Sequence, residues 1–197
     1  MALALGKWDQ ARARFEAARC LGSEIGLTMR AASATMFLGW TEHAAGDEEA
    51  ASRLLAESLA LFHVVDDRRF AGAIVQGQAW VAHRQGDDRW ARRLYHESLM
   101  LLREAGTKAD LLECLIGLAG AMAVTGQAVH AARLFGAGDA TRAALGIALP
   151  AGSQVQYSRD LAAARSELGE PAWTAAWSEG REMSLEQAVA YALSDET

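Results

Sequence analysis

Apolar positions along this chain recur with a helical period. Between Leu54 and Phe62 the residues Leu54, Leu55, Ser58, Leu59 and Phe62 fall at i, i+1, i+4, i+5 and i+8. That spacing makes one stripe of a 3.6-residue helix, with Glu48, Glu49 and Arg53 largely off it. The pattern then returns at a fixed stride. Gly6, Gly46, Gly86 and Gly126 stand forty residues apart, each followed at the same offsets by Ala11, Ala51, Ala91 and Ala131 and by Phe15, Leu55, Tyr95 and Phe135. The halves before each glycine align too: Leu38-Gly39-Trp40, Gln78-Ala79-Trp80 and Leu118-Ala119-Gly120 are in register, and His43 matches His83.

Each unit therefore predicts two helices joined at a glycine, which adopts the left-handed conformation that ends a helix at little cost. Asp47 and Asp87 follow their glycines and are placed to cap the next helix by accepting backbone N–H bonds. Small residues at Gly39, Ala79 and Ala119 and at Ala51, Ala91 and Ala131 let paired backbones approach closely. A hairpin of this size cannot bury its apolar face alone, so several must stack. The predicted architecture is all-α: a solenoid of helical hairpins of about forty residues over 1–146, with a C-terminal helical cap over 147–197 in the same continuous domain.

Past Gly126 the stride fades. A helix is expected from Ala128 to about Leu145, another from about Ala151 to Leu168 ended by Gly169, and a third from Pro171 carrying Trp173 and Trp177 as core residues. The last opens on the capping box Ser184-Leu185-Glu186-Gln187. At the other end only five residues precede Gly6, so the first hairpin is truncated. The expectation is that the chain is a piece of a longer protein, or that a partner covers the apolar side of the helix bearing Phe15 and Leu21.

Composition narrows the function classes. With 19 Lys and Arg against 25 Asp and Glu the formal charge is −6, which fits neither a nucleic-acid glove nor a polybasic membrane patch. Cys20 and Cys114 have no metal-ligand spacing and read as buried free thiols of a reducing compartment, the cytoplasm. No apolar run approaches the roughly 20 residues of a membrane helix, and Met1–Gly6 lacks the form of a signal peptide.

The residues carry a family resemblance. Leu38-Gly39, Gly46-Asp47, Ala51, Leu55 and Ser58 sit where the tetratricopeptide (TPR) pattern has Leu-Gly, Gly-Asp, Ala, Tyr or Phe, and Ala. The period is about six residues longer than the usual repeat, and resembles the long-repeat variety of bacterial signalling ATPases and transcription activators. The tail is similar to the C-terminal end of the TPR region of bacterial NTPase-linked transcriptional regulators, LuxR-type and antibiotic-pathway regulators and predicted ATPases among them. It carries Ala131-Ala-Arg-Leu-Phe135-Gly-Ala137, Leu149-Pro150, Tyr157, Leu168-Gly169, and the run from Trp173 to Ala188. The likeness spans essentially the whole chain, most specifically 126–193. It implies a nucleotide-binding module before the array and, in some members, a helix-turn-helix after it.

In such an array the first helix of each hairpin lines the concave surface, and that register places Met36, Trp40, His43, Gln76, Trp80, His83, Arg84 and Glu113 toward it. Trp and Arg dominate binding hot spots, so these residues form a candidate groove for a protein or peptide. Trp40 and Trp80 read equally as packing between hairpins.

Bond-making chemistry finds little support. There is no Gly-x4-Gly-Lys-Ser/Thr phosphate loop, and Gly136-Ala137-Gly138 lies within a predicted helix with no strand before it, where close helix contact explains it. His43 and His83, one repeat apart, would be about 10 Å apart at ordinary helix spacing, too far to share a zinc ion. Ser58, Ser98 and Ser184 lack His and Asp partners at usable spacing. The acidic pairs Asp66-Asp67 and Asp87-Asp88 adjoin arginines at helix starts, which explains them electrostatically. No catalytic residue, metal ligand or cofactor is assigned. The expected function is a non-enzymatic sensor or scaffold portion of a transcriptional regulator, binding a protein, a peptide or a small effector and signalling to an attached NTPase or DNA-binding module. Neither nucleic acid nor membrane is contacted directly by this segment. The alternatives are a homodimerisation module using the open end near Phe15 and Leu21, and a small-ligand pocket, which requires a cavity with convergent polar groups.

Overall fold

The computed structural model describes residues 7–62, 67–149 and 151–194, the last stretch with side chains from 153 onward. Gly6, Asp66 and Pro150, used above, lie outside the described residues. Ten helices are present among the described residues, with no strand: α1 Trp8–Glu24, α2 Thr28–Ala45, α3 Glu48–Phe62, α4 Arg68–Arg84, α5 Asp88–Ala105, α6 Lys108–Ala123, α7 Ala128–Leu145, α8 Ala151–Leu168, α9 Glu170–Arg181 and α10 Leu185–Leu193.

The repeated glycines mark the helix junctions. Gly46, Gly86 and Gly126 have φ of 93°, 83° and 79° and separate α2 from α3, α4 from α5 and α6 from α7. The caps form as expected: Asp47 Oδ1 accepts from the Ala50 amide at 2.9 Å and Asp87 Oδ1 from the Trp90 amide at 3.2 Å. Ser184 and Gln187 make the reciprocal capping box of α10.

Burial follows the stride. Ala51, Ala91 and Ala131, together with Ala79 and Ala119, are fully buried, and Gly39 is buried with them. A Cβ on Gly39 would come 2.8 Å from Leu55 Cγ, so α2 and α3 pack at a separation only a bare backbone permits. Leu55, Tyr95 and Phe135 are buried equivalents, whereas Phe15 at the chain's start is half-buried and stacks on Phe37 at 5.1 Å. Two serines repeat a hydrogen bond as well. Ser58 donates to the Ala32 carbonyl and Ser98 to the Gly72 carbonyl, both at 2.9 Å and both from fully buried hydroxyls. That is a structural use for two side chains with no catalytic companions.

Every helix from α1 to α7 packs on the next, and the first helices of successive hairpins meet: α2 contacts α4, and α4 contacts α6. One core cluster lies among α2, α3 and α4, and a larger one runs from α4 through α10. Cys114 is buried in the larger cluster, its thiol pushed up to about 12 by burial, but Cys20 is exposed on α1, contrary to the expectation for both thiols.

The three tail helices wrap back over the array. α9 lies on α7 at a contact where Gly136 faces the Trp177 backbone and Gly180 faces the Arg133 backbone, while Gly138 faces the Ile116 side chain of α6, so the glycine doublet serves two different close helix contacts. Trp173 is buried there and Trp177 half-buried, their rings 5.1 Å apart. α10 packs on α5, α6 and α7, while α8 packs on α6 and α7 and reaches α2. No helix among the described residues is long and apolar enough to cross a membrane.

Gly86 has φ +83° and nothing within 4 Å of where a Cβ would stand, so backbone strain is the whole cost of a substitution there. Gly86→Val is expected to destabilise the chain by about 1–3 kcal/mol in chemical denaturation. An unchanged midpoint would contradict the junction as described.

Candidate functional site

The two aligned histidines end their helices in the same way. His43, in the last turn of α2, points Nδ1 at Glu48 Oε2 of α3 at 2.7 Å. His83, in the last turn of α4, points Nδ1 at Asp88 Oδ1 of α5 at 2.5 Å. Each pair bridges a glycine turn by a histidine and an acid five residues on. Arg84 joins the first pair to its neighbour, its Nε 2.8 Å from Glu48 Oε1.

His83 differs from His43 in its second nitrogen. Its Nε2 lies 3.0 Å from Asp160 Oδ2 on α8, and the Gln156 amide donates to Asp160 Oδ1 at 2.7 Å. The side chains of His83 and Asp160 are each only 6% exposed. Burial pushes the imidazole pKa down, but hydrogen bonds and charge from Asp160, then from Asp88, outweigh it and leave His83 above its ordinary value. The doubly protonated ring is the form able to donate to both carboxylates. Gly120 of α6 makes room for this pair, since a Cβ there would fall 2.7 Å from Asp160 Oδ2.

A row of rings leads to the same place. Phe37 meets Trp40 edge-on at 5.1 Å, Trp40 meets Trp80 at 5.6 Å, and Trp80 stacks on His43 at 5.9 Å. Trp40 is packed between hairpins. Its Nε1 is buried without a hydrogen-bond partner and lies against Gly77, where a Cβ would approach to 2.7 Å. Trp80 faces the other way, into a pocket.

This pocket has a volume of about 100 Å³ and is bounded by side chains of α2, α4, α5, α6 and α8. His43, Trp80, His83 and Arg84 form one wall, Tyr95, Glu113, Ile116 and Gly117 another, and Leu149, Ser153, Gln156, Tyr157 and Asp160 the third. Glu113 has no hydrogen-bond or ion-pair partner among the described residues; burial, with Asp110 one turn before it, pushes its carboxyl up to about 7. Burial likewise holds the Tyr95 hydroxyl well above the usual phenol range. Tyr157 packs edge-on against Phe135 at 5.5 Å.

Five of the eight candidate groove residues thus converge: His43, Trp80, His83, Arg84 and Glu113. Trp40 sits behind Trp80, and Met36 and Gln76, each 2% exposed, are buried off the pocket. The third wall was not anticipated. Tyr95 stands at a repeated position and was legible as core, but Gln156, Tyr157 and Asp160 belong to a helix whose docking leaves no periodic trace. Among the described residues no three His, Cys, Asp or Glu side chains are arranged to hold a metal ion. In comparison with known proteins, no family model, no curated protein and no solved structure matches the chain.

Protonated His83 stabilises the docking of α8. Because its folded pKa is raised, that contribution is fully present below about pH 6.5 and is lost as pH rises through the folded value. Asp160→Asn is expected to cost about 1–3 kcal/mol at pH 6 and to flatten the fall of stability toward pH 8.5, read as the difference from the parent chain in denaturant titrations. Equal pH profiles for the two proteins would remove the His83–Asp160 interaction from the account.

Proposed function

We propose that the chain is a non-enzymatic effector-binding portion of a larger cytoplasmic transcriptional regulator or signalling ATPase. Its hairpins are read as a long-repeat TPR-like array, and a small effector is held between their first helices and α8. The observation that carries this reading is the convergence of side chains from four hairpin helices and from α8, 77 residues apart in the His83–Asp160 pair, on one partly enclosed pocket. The pocket combines aromatic and aliphatic walls with a few directed polar groups, the composition of small-molecule sites.

Size selects among occupants. About 100 Å³ of water-accessible space is room for several water-sized groups, and the pocket opens to solvent on one side. With α8 packed against α6 and α7, the partly enclosed space suits a compact small molecule better than a peptide helix. An effector there touches both the hairpins and α8, so it biases the position of α8 by its differential affinity for the docked and undocked arrangements. An attached NTPase or DNA-binding module would read that bias. Both nitrogens of His83 face carboxylates, which leaves that imidazole no free nitrogen for proton transfer.

Self-association is supported by a separate observation. Leu21, Ile25 and Leu27, at and just after the end of α1, are 56%, 58% and 43% exposed. A concentration-dependent dimer abolished by Leu21→Glu would favour that role.

The effector reading is tested with small amines, alcohols and carboxylates in thermal unfolding. Saturation a hundredfold above Kd stabilises by about 2.7 kcal/mol, so at least one class is expected to raise the Tm, and Ile116→Trp, which fills the pocket, is expected to abolish the rise. If no compound shifts the parent protein, or the filled variant responds equally, the pocket is not an effector site.

A further inference from the structure

The charges around the pocket do not balance. The Arg84 guanidinium is engaged by Glu48, and the two nitrogens of His83 face Asp88 and Asp160. Nδ1 of His43 also faces Glu48. Every basic side chain lining the pocket is therefore matched by a carboxylate, and Glu113 is the acid left over, without a partner among the described residues.

A second polar group without a side-chain partner among the described residues lines the same pocket, with Asp160 and Asp88 as the carboxylates acting on it. Tyr95 is 1% exposed, lines the pocket, and makes no side-chain hydrogen bond among the described residues. Its phenol lies directly over Gly117, where a Cβ would stand 2.5 Å from the hydroxyl oxygen. Gly117 is one helical turn beyond Glu113, so the two positions share one face of α6. Glu113 therefore lines a pocket that also holds Trp80 and Tyr157, and their rings offer a surface on which a cation and its alkyl body are stabilised.

We propose that the pocket binds a small primary ammonium ion, with the ammonium donating to the Glu113 carboxylate and the alkyl chain lying against Trp80 and Tyr157. This rests on the effector-pocket reading above and names the ligand class for that site. Burial of Glu113 without a counter-ion is costly, and the raised carboxyl pKa records that cost. An ammonium ion removes it by supplying the missing charge and the missing donors in one group.

The test uses the whole chain at about pH 8, where a carboxyl with a pKa of about 7 is mostly ionised. Three probes of nearly equal size are titrated by calorimetry: n-butylammonium, 1-butanol and butyrate. n-Butylammonium is expected to bind at least about tenfold more tightly than 1-butanol, with butyrate the weakest. Glu113→Gln is expected to lower n-butylammonium affinity about tenfold or more while 1-butanol binding stays within about twofold. A melting curve of the variant reports that it folds. Equal affinity for n-butylammonium and 1-butanol, or an undiminished Glu113→Gln variant, overturns the ammonium assignment and leaves the effector pocket standing. Failure of all three probes to bind overturns both.

Discussion

Close approach of helix backbones at small residues is the constraint from which this structure follows. Gly39 against Leu55, and the fully buried Ala51, Ala79, Ala91, Ala119 and Ala131, let each hairpin close tightly. A larger side chain at such a site has nowhere to go in an interior packed to crystal-like density. Because the small positions recur at one stride, neighbouring hairpins adopt matching contacts, and matched side chains find themselves in matched surroundings. The Ser58 and Ser98 hydroxyls, each bonded to a carbonyl of the preceding helix, are the plainest instance.

The same stride sets up the electrostatics of the pocket and then breaks their symmetry. His43 with Glu48 and His83 with Asp88 are equivalent across one repeat, each joining a helix end to the next helix start. Only His83 gains a second carboxylate, since α8 brings Asp160 to its other nitrogen and Gln156 to Asp160. A carboxylate as buried as Asp160 persists because it is paired and hydrogen-bonded; without His83 it would be an uncompensated charge, among the most destabilising things a core can contain. The histidine thereby ties the tail of the chain to its middle.

Docking of α8 also changes what kind of site these residues make. Without it, His43, Trp80, His83, Arg84 and Glu113 would line an open groove. With it they become walls of a small pocket. The distinction bears on function, because an open groove recognises an extended partner through many shallow contacts, and a closed pocket recognises a compact one through a few directed groups.

Much of this was legible from residue order, since it depends on neighbours along the chain. Gly46, Gly86 and Gly126 mark the junctions, Asp47, Asp87 and Ser184 the caps, and the alanines the buried seams, each by a rule acting within a few residues or at one fixed offset. Residue order also indicated which helix faces carry polar and aromatic side chains, and five of the eight candidates do meet at the pocket. It could not distribute Trp40 and Trp80 between core and pocket, because that depends on Gly77 of the next hairpin lying under one indole and not the other. Nor could it place Asp160 beside His83, 77 residues away. Periodicity reports which face of a helix is buried, but the partner that buries it is chosen by three-dimensional fit, and that choice turned a surface of recognisable residues into a partly enclosed site.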